Sequence, residues 1–526
     1  MRVRASKLCK DRSDITQREK RTKTGCLTCR KRRKKCTEEK PRCFKCVANN
    51  LECKWPDTII LNNKLSVLKY KEKTSRIAKA TDKKKAPDEL KDYSNNSESK
   101  TSVDENFLFH LCVDLFLPNL LTQDLNSLCE EGNSYIVQQT QKNAVLKEAF
   151  LCCGATYLEI VNPKKYSKLS QSLYESTSAL FDNYFNKAIT DKQKYETLLP
   201  PAIVLCVRES IAAKANTKRK NQWLSYIYKL IDKRYDLSLS PASHSAEDEA
   251  KLNQYESSAA KKIGSEILLE SSSNTIIKPF EKLLLESFMY NFSVTIPFTT
   301  NVMDIPDPFT LFEEMNKVLQ TSVYNRDYEW DKNPLFGASM GAFEMLSKAC
   351  YLSRLAMPLD NKSVFQERFC QLERTSKFYT PSFPTVVLRK QPQDILDAVK
   401  RSVAVSKLVW RVSLLLIGAI KHYQNWELRS ENVTSSILEI ITVIESLPKV
   451  SRYWVLLPCP LFLSGFFTLE TSHREKILGG LHNLPPTFNQ NSILSMQKIL
   501  EETWALPEKL RLNMLFDLAK LWDTLR

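Results

Sequence analysis

Hydrophobic residues recur at three- and four-residue steps through most of the chain after residue 106. This period places apolar side chains on one face of an α-helix, whereas the two-residue alternation of strands is scarce. The segments with the helical period are 106–121, 144–161, 166–185, 221–235, 280–292, 338–357, 397–423, 435–447 and 492–506. They predict one large all-α domain over 106–526, which is long enough to bury a substantial core.

Three polar segments interrupt or precede this pattern. Residues 1–23 are predicted to form a basic, disordered arm, and residues 240–273 a disordered insertion between helices. Residues 57–105 are predicted to form a disordered linker. Leu61, Leu65 and Leu68 have heptad spacing inside this linker, but they amount to fewer than two heptads. Dimerisation through a short helix there is therefore left open, because a coiled coil normally needs three or four.

Neither a secretory signal nor a membrane span is expected. The N-terminus has no apolar core of the kind that signal peptides carry. No apolar run reaches about 18 residues, and the longest candidate, 454–467, is broken by Pro458 and Pro460. An intracellular location without membrane contact is predicted, so the cysteines should be thiols or metal ligands rather than disulfides.

Charge changes the picture for the first hundred residues. Residues 1–56 carry 19 basic and 6 acidic side chains, residues 57–100 carry 11 and 7, and the remainder carries 47 of each. The net charge of +17 therefore lies in residues 1–100. A partner with dense negative charge is expected to bind there, and double-stranded DNA is the leading candidate.

Six of the 15 cysteines occur close together in two halves that share the spacing C-x2-C-x6-C. They are Cys26, Cys29, Cys36, Cys43, Cys46 and Cys53. A C-x2-C turn can direct two thiolates to one metal ion, and the spacing is typical of zinc sites. Six reduced thiols, or a redox C-x2-C pair, are the alternatives. They are disfavoured because no βαβ pattern surrounds the pairs.

Two tetrahedral zinc ions need eight ligand positions, and six sulfurs fill eight positions only if two of them bridge. By the symmetry of the two halves, the bridging sulfurs should belong to Cys26 and Cys43. A single four-cysteine site would leave two cysteines over. No ligand position remains for water, so the zinc is predicted to be structural. Its binding would supply the folding free energy of this core-poor segment, about 10–16 kcal/mol per site.

The cysteine spacing, together with the six consecutive cations of residues 30–35, resembles the fungal Zn2Cys6 binuclear-cluster transcription factors over residues 24–56. The resemblance implies that a short helix enters the major groove, where Arg and Lys donate to guanine O6 and N7. It also implies a nuclear location, and the basic run would serve nuclear import as well.

In that family, the third and fourth residues after the second cysteine read a CGG triplet. Here these residues are Arg32 and Arg33. The family usually has Lys at the second position, and Arg33 keeps the hydrogen-bond donors. Arg30 and Lys35 match family positions that approach phosphates. Such proteins commonly bind two half-sites as dimers, so a homodimer is a further expectation.

The helical region resembles the fungus-specific regulatory domain that accompanies this cluster, in the subgroup of yeast regulators of GABA, arginine and lysine metabolism. The resemblance rests on apolar anchors in residues 221–231, 280–292, 460–481 and 495–504. It implies regulation through the transcription machinery and through a small-molecule effector.

An enzyme is not expected. Glycine accounts for only 10 of 526 residues, no phosphate-binding glycine motif is present, and the five histidines are scattered without a catalytic motif. The predicted function is a sequence-specific activator of metabolic, nitrogen or amino-acid genes at RNA polymerase II promoters. The alternative from another class is a structural chromatin or centromere protein that uses the same cluster.

Overall fold

The computed structural model describes two groups of residues. In the N-terminal part these are residues 27–32, 34, 36, 44–47, 49 and 51. In the remainder they are 103–117, 138–188, 197–212, 216–235, 279–319, 333–360, 363–381, 393–423, 425–449, 451–483 and 490–525. The chain divides into two units, Met1–Asn95 and Asn96–Arg526.

The described residues of the first unit form two short helices, α1 (Leu27–Lys31) and α2 (Phe44–Val47). The second unit begins with α3 (Glu105–Leu111), which continues as a π turn. It is followed by α4 (Ala144–Val161), α5 (Pro163–Ala188), α6 (Leu199–Ile211), α7 (Thr217–Tyr235), α8 (Pro279–Thr295), α9 (Pro308–Leu319), α10 (Met340–Ser353) and α11 (Val364–Lys377).

The second half of this unit contains α12 (Gln393–Lys421), α13 (Glu431–Ser446), α14 (Pro458–Gly465), α15 (Thr471–His482), α16 (Gln490–Ala505), α17 (Glu508–Phe516) and α18 (Leu518–Leu525). No strand occurs among the residues that the structure describes. The mostly α fold class is confirmed.

Packing joins these helices into one array. Helix α4 contacts α3, α5 and α6, and α6 in turn contacts α7 and α8. Helix α8 packs on α10, α10 on α12, and α12 on α13 and α14. Because α4 is enclosed by three neighbours, most of its residues are buried, which explains why its sequence is apolar on nearly every face.

Local sequence signals set the boundaries of these helices. Asn143 caps α4, its side chain accepting a hydrogen bond from the Leu146 N–H at 3.0 Å. The Asn143 amide also donates to the Thr197 carbonyl at 2.6 Å, which ties the start of α4 to the residues before α6. The period-based prediction of a helix over 144–161 is confirmed.

Helices α6, α9 and α11 were not among the predicted segments, and α14 and α15 were represented only by the apolar anchors of residues 460–481. Helix α14 begins with Pro458, and α6 has two prolines directly after its first residue, Leu199. Pro458 and Pro460 had been interpreted as breaks in an apolar run. Proline is compatible with the first helical turn, because backbone N–H groups at that position have no acceptor within the helix. The run is instead a 3₁₀ turn, Arg452–Leu456, followed by α14. Helix α14 and all of the turn except Arg452 are buried.

The first helix of the second unit begins slightly earlier than expected. Asp104 caps α3 through its side chain, which accepts from the Asn106 N–H at 3.1 Å, so the helix starts at Glu105 rather than at residue 106. The predicted arm (1–23), insertion (240–273) and nearly all of the predicted linker lie outside the described residues, as does the leucine repeat.

Among the residues that the structure describes, one helix meets the length and composition of a membrane span. Ile395–Lys421, within α12, is long and apolar enough, since Lys407 and Arg411 are the main interruptions of its central stretch. Most of this stretch is buried against α10, α11, α13 and α14. Its apolar character is accounted for by its position at the centre of the helical core.

The C-terminal segment also packs into the core. Leu515, Leu518 and Trp522 are almost fully buried, and the Trp522 ring lies 4.3 Å from the ring of Phe298. The two C-terminal helices are therefore packed parts of the helical core rather than an exposed segment.

Candidate nucleic-acid interface

The repeated cysteine spacing becomes a repeated backbone structure. Helix α1 begins directly after Cys26 and α2 directly after Cys43, and the two helices are in contact. In the first half the Lys34 N–H donates to the Cys29 carbonyl at 3.0 Å. In the second half the Leu51 N–H donates to the Cys46 carbonyl at 2.9 Å. Each half therefore closes the same five-residue turn after its second cysteine.

The described cysteines of both halves meet in one buried cluster. Cys29 and Cys46 are fully buried, Cys36 is 6% exposed, and Leu51 packs against them. The Cys29 and Cys46 sulfurs are 3.9 Å apart, well beyond the roughly 2.05 Å of a disulfide bond. A redox pair within one C-x2-C motif would not require sulfurs from both halves to meet.

The donor chemistry of this cluster fits zinc, because thiolates are ligands that zinc prefers. The predicted ligands Cys26, Cys43 and Cys53 lie outside the described residues. Within the described part alone, no group of three His, Cys, Asp or Glu side chains could hold a metal ion by itself. The predicted set of six zinc ligands therefore depends on sulfurs other than the three that are described.

Helix α1 separates sulfur from positive charge. It directs Cys29 into the cluster, while Lys31 and, just beyond the helix, Arg32 and Lys34 are exposed. The Arg32 N–H donates to the Thr28 carbonyl at 3.1 Å and so continues the helical turn. The side chain of Arg30, and all of Arg33 and Lys35, lie outside the described residues.

The second half lacks a matching basic run. Asn49 occupies the position that corresponds to Arg32, and its amide donates to the Lys45 carbonyl at 2.8 Å. Lys45 itself is exposed on α2. It was not among the predicted DNA contacts, although comparing the two halves would have drawn attention to it as the cation of α2.

The described histidines of the helical unit are far apart in the sequence, and each has its own local partner. In the described part of the chain they therefore do not form a catalytic group. Nδ1 of His110 lies 3.3 Å from Asp114, Nε2 of His473 lies 3.4 Å from Glu470, and Nε2 of His482 lies 3.2 Å from Gln497. His422 packs against the ring of Trp426. His244 lies outside the described residues.

The described cysteines of the helical unit are mostly core residues. The buried ones are Cys112, Cys152, Cys153, Cys206, Cys350 and Cys459. Burial raises the pKa of Cys206 and of Cys350 to about 12, which keeps these thiols protonated. Cys370, on α11, is only partly buried. Cys129 lies outside the described residues.

Comparison with known families agrees with this division of the chain. A family model described as the fungal Zn(2)-Cys(6) binuclear cluster domain matches residues 24–59. Another, described as the fungal specific transcription factor domain, matches residues 119–513, which is more than half of the chain. The chain therefore belongs to the fungal transcription factors that combine these two domains. It is a zinc-binding, DNA-binding regulator and not an enzyme.

The curated relatives match over short segments. Transcription factor lfc1 of Flammulina velutipes is 50% identical over 50 residues, which cover 9% of this chain and 18% of that protein. Zinc cluster transcription factor CZF1 of Candida albicans is 54% identical over 37 residues, covering 7% and 10% respectively. Transcriptional regulatory protein UME6 of Saccharomyces cerevisiae is 38% identical over 76 residues, covering 13% and 9%.

The chain thus spans less than a fifth of the length of these relatives. No solved structure matches it significantly.

Proposed function

We propose that this protein is a nuclear, sequence-specific regulator of RNA polymerase II promoters whose cluster reads CGG-type triplets. The observation that carries the proposal is that α1 buries the Cys29 sulfur, while Lys31 at its end and Arg32 and Lys34 just after it are exposed. A helix fixed at its buried face by a metal cluster presents its cations in one orientation, as major-groove recognition requires.

Two structural zinc ions are part of the proposal. Cys29 and Cys36 would complete one site and Cys46 and Cys53 the other, with the sulfurs of Cys26 and Cys43 shared. The burial of thiols from both halves in one cluster supports this arrangement. The zinc ions would supply folding free energy, and the residues of the two halves would orient the basic helix.

Arg32 and Arg33 are the proposed base readers, donating to guanine O6 and N7, while Arg30 and Lys35 contact phosphates. Each well-formed bidentate contact discriminates against a wrong base by about 1–3 kcal/mol. Phosphate contacts position the module without reading sequence. The exposure of Arg32 on the described turn is consistent with base contact.

The remaining parts of the proposal concern regulation. One triplet holds little information, so a homodimer binding two half-sites is proposed, with the linker of residues 57–105 setting their spacing. The helical unit is proposed to recruit the transcription machinery and to respond to a small-molecule effector. The proposed targets are metabolic genes of nitrogen or amino-acid metabolism, and the proposed sign of regulation is activation.

In vitro site selection with the zinc-loaded, full-length protein tests DNA recognition. A paired CGG motif of fixed spacing is expected. Arg33→Ala should cost about 1–3 kcal/mol on the selected site and relax the base preference at one position. Lys45→Ala, which removes the exposed cation of α2, is the control and should leave base preference unchanged. If Arg33→Ala instead weakens binding equally on every DNA sequence, Arg33 contacts a phosphate rather than a base.

Genome-wide occupancy separates promoter regulation from the chromatin-scaffold alternative. Binding at many promoters is expected for a transcription regulator. Binding confined to one locus on each chromosome would overturn the proposal in favour of a centromere protein.

A further inference from the structure

A cavity of about 140 Å³ lies inside the helical unit, where α6, α7 and α8 meet α14, α16 and α18. An apolar protein cavity of about 150 Å³ is large enough to bind benzene. This cavity therefore has room for a compact ligand of about six to nine non-hydrogen atoms. Neither family match nor the zinc cluster assigns it a role.

The interior of the cavity is apolar. Its walls include Phe298, Val455, Pro458, Ile493 and Trp522, and each of these is buried. They come from elements that are far apart in the sequence, including the last helix of the described chain. Such walls favour an aliphatic or small aromatic group over a sugar or a nucleotide.

Polar side chains lie on the side formed by α7 and the residue before it. Asn216 is exposed and Lys220, one turn further along, is half-buried. Burial raises the pKa of the Cys206 thiol to about 12, and the positive charge of Lys220 acts in the opposite direction, as it does on Cys459. Lys220 and Cys459 both line the cavity.

The other charged side chain of the wall, Glu209, is compensated within the protein. One carboxylate oxygen accepts the Asn216 N–H at 2.5 Å, and the other lies 3.3 Å from the buried Arg208 guanidinium. Glu209 is 1% exposed. Its negative charge is thus balanced by Arg208. Lys220, which has interactions of its own, lies at the more exposed side of the cavity, next to the exposed Asn216.

Neutral hydrogen-bonding groups line the region between these two. Asn291 is 5% exposed; its amide donates to the Ser287 carbonyl at 2.8 Å, and its carbonyl oxygen accepts from Ser210 at 2.6 Å. These buried polar side chains are held in fixed positions beside an apolar cavity. This combination, a few positioned polar groups among apolar walls, is characteristic of small-molecule sites.

We propose that the cavity binds a short aliphatic monocarboxylate, with its apolar tail among Val455, Ile493 and Trp522 and its carboxylate paired with Lys220. This site would be where the proposed small-molecule effector binds, so the inference rests on the regulatory role proposed above. With its head group at the more exposed side and its tail in the interior, the ligand would keep its charge partly hydrated. Partial hydration lowers the desolvation cost of binding.

Binding would couple two parts of the helical unit. The ligand would contact α6, α7 and α8 on one side and α14, α16 and α18 on the other. A ligand that binds only when these helices are packed together stabilises that packing. The thermal stability of the full-length protein should therefore rise with ligand concentration.

Three ligands with the same branched tail and different head groups test the assignment: 4-methylpentanoate, 4-methylpentan-1-ol and 4-methylpentan-1-amine. Each is titrated into full-length, zinc-loaded protein by calorimetry, with a thermal melt in parallel. The carboxylate is expected to bind about tenfold more tightly than the neutral alcohol, and the amine more weakly than the alcohol.

Variants of α7 then locate the head group. Lys220→Met should reduce carboxylate affinity about tenfold and leave alcohol affinity within about twofold, whereas Lys220→Arg should retain the preference for carboxylate. Lys218→Met, which removes an exposed lysine from the same helix, is the matched control and should change neither affinity.

Three results would overturn the proposal: no binding of the carboxylate to the wild-type protein, tightest binding of the amine, or equal effects of Lys220→Met and Lys218→Met. The wild-type ligand series decides the first two even if a variant does not fold. DNA site selection is measured in a separate experiment, on the same protein preparation without ligand. Failure of the cavity to bind a carboxylate therefore leaves the DNA-binding proposal standing, and failure of DNA selection leaves the ligand result standing.

Discussion

The buried ion pair behind the cavity provides a quantitative prediction. Arg208 is 3% exposed on α6 and its guanidinium makes three polar contacts: to Thr156 Oγ1 at 3.0 Å, to Ser170 Oγ at 3.2 Å and to Glu209 at 3.3 Å. It also lies over the ring of Tyr174, at 3.9 Å from the ring centroid. The arginine thus links α4, α5 and α6 through one buried charge.

Arg208→Met should destabilise the protein by about 3–5 kcal/mol. Methionine approximates the volume of the arginine stem, so the loss of packing is small. The main cost is the uncompensated Glu209 carboxylate, because breaking a buried ion pair by removing one partner typically costs 3–5 kcal/mol. Thr156 and Ser170 remain within 3.2 Å of each other and can still share a hydrogen bond, which limits the additional loss.

A double-mutant cycle isolates the contribution of the pair. Glu209→Gln alone should also be destabilising, because it leaves the Arg208 charge buried, and the double variant should lose less than the sum of the single changes by about 0.5–3 kcal/mol. Arg411→Met is the control. Arg411 pairs with Glu439 at the surface, and such pairs contribute about 0–1 kcal/mol.

Urea unfolding of the full-length protein at pH 7, followed by circular dichroism at 222 nm, measures these free energies. A loss below about 1 kcal/mol for Arg208→Met, or additive effects of the two substitutions, would refute the reasoning that the pair is a coupled, buried unit.

Three further predictions concern titration, close packing and zinc. Burial raises the pKa of Glu286 to about 8 from 4.5, so the folded protein binds a proton that the unfolded chain lacks between these values. Stability should therefore fall as pH rises through that range. Glu286→Gln should flatten this pH dependence in urea titrations, and an unchanged slope would contradict the prediction. A Cβ at Gly154 would collide with the backbone of α3, so Gly154→Ala should cost about 1–3 kcal/mol despite its gain in helix propensity. Gly479→Ala, which meets no atom within 4 Å, should be neutral or stabilising in the same thermal melts. Cys26→Ser, which removes a proposed bridging sulfur, should release more zinc per chain by mass spectrometry than Cys29→Ser, and equal zinc loss would count against the bridging assignment.

The local properties of this protein could be predicted from its sequence. The helix over 144–161 follows from its apolar period and from the Asn143 cap, because both act within a few residues of the chain. The cysteine spacing indicated a metal cluster for a similar reason, since a repeated C-x2-C turn fixes the positions of its thiols locally. The charge of residues 1–100 needed only counting.

Other helices were missed where a local signal has two meanings. Pro458 and Pro460 were interpreted as breaks, although proline is tolerated in a first helical turn, and only the surrounding packing shows that α14 forms there. The length and apolar composition of α12 have the same ambiguity, because a buried core helix and a membrane span share them.

Tertiary structure alone decided which residues meet. The residues that line the cavity are spread through the sequence from Val207 to Trp522. The hydrophobic period of a single helix does not specify that α6 and α18 should line the same cavity. The compensation of Glu209 by Arg208, and the close approach of α3 to Gly154, likewise depend on how neighbouring helices pack. The sequence determines which face of each helix is apolar, whereas the contacts between those faces depend on all the helices packing together, so the site enclosed by them becomes visible only in the folded protein.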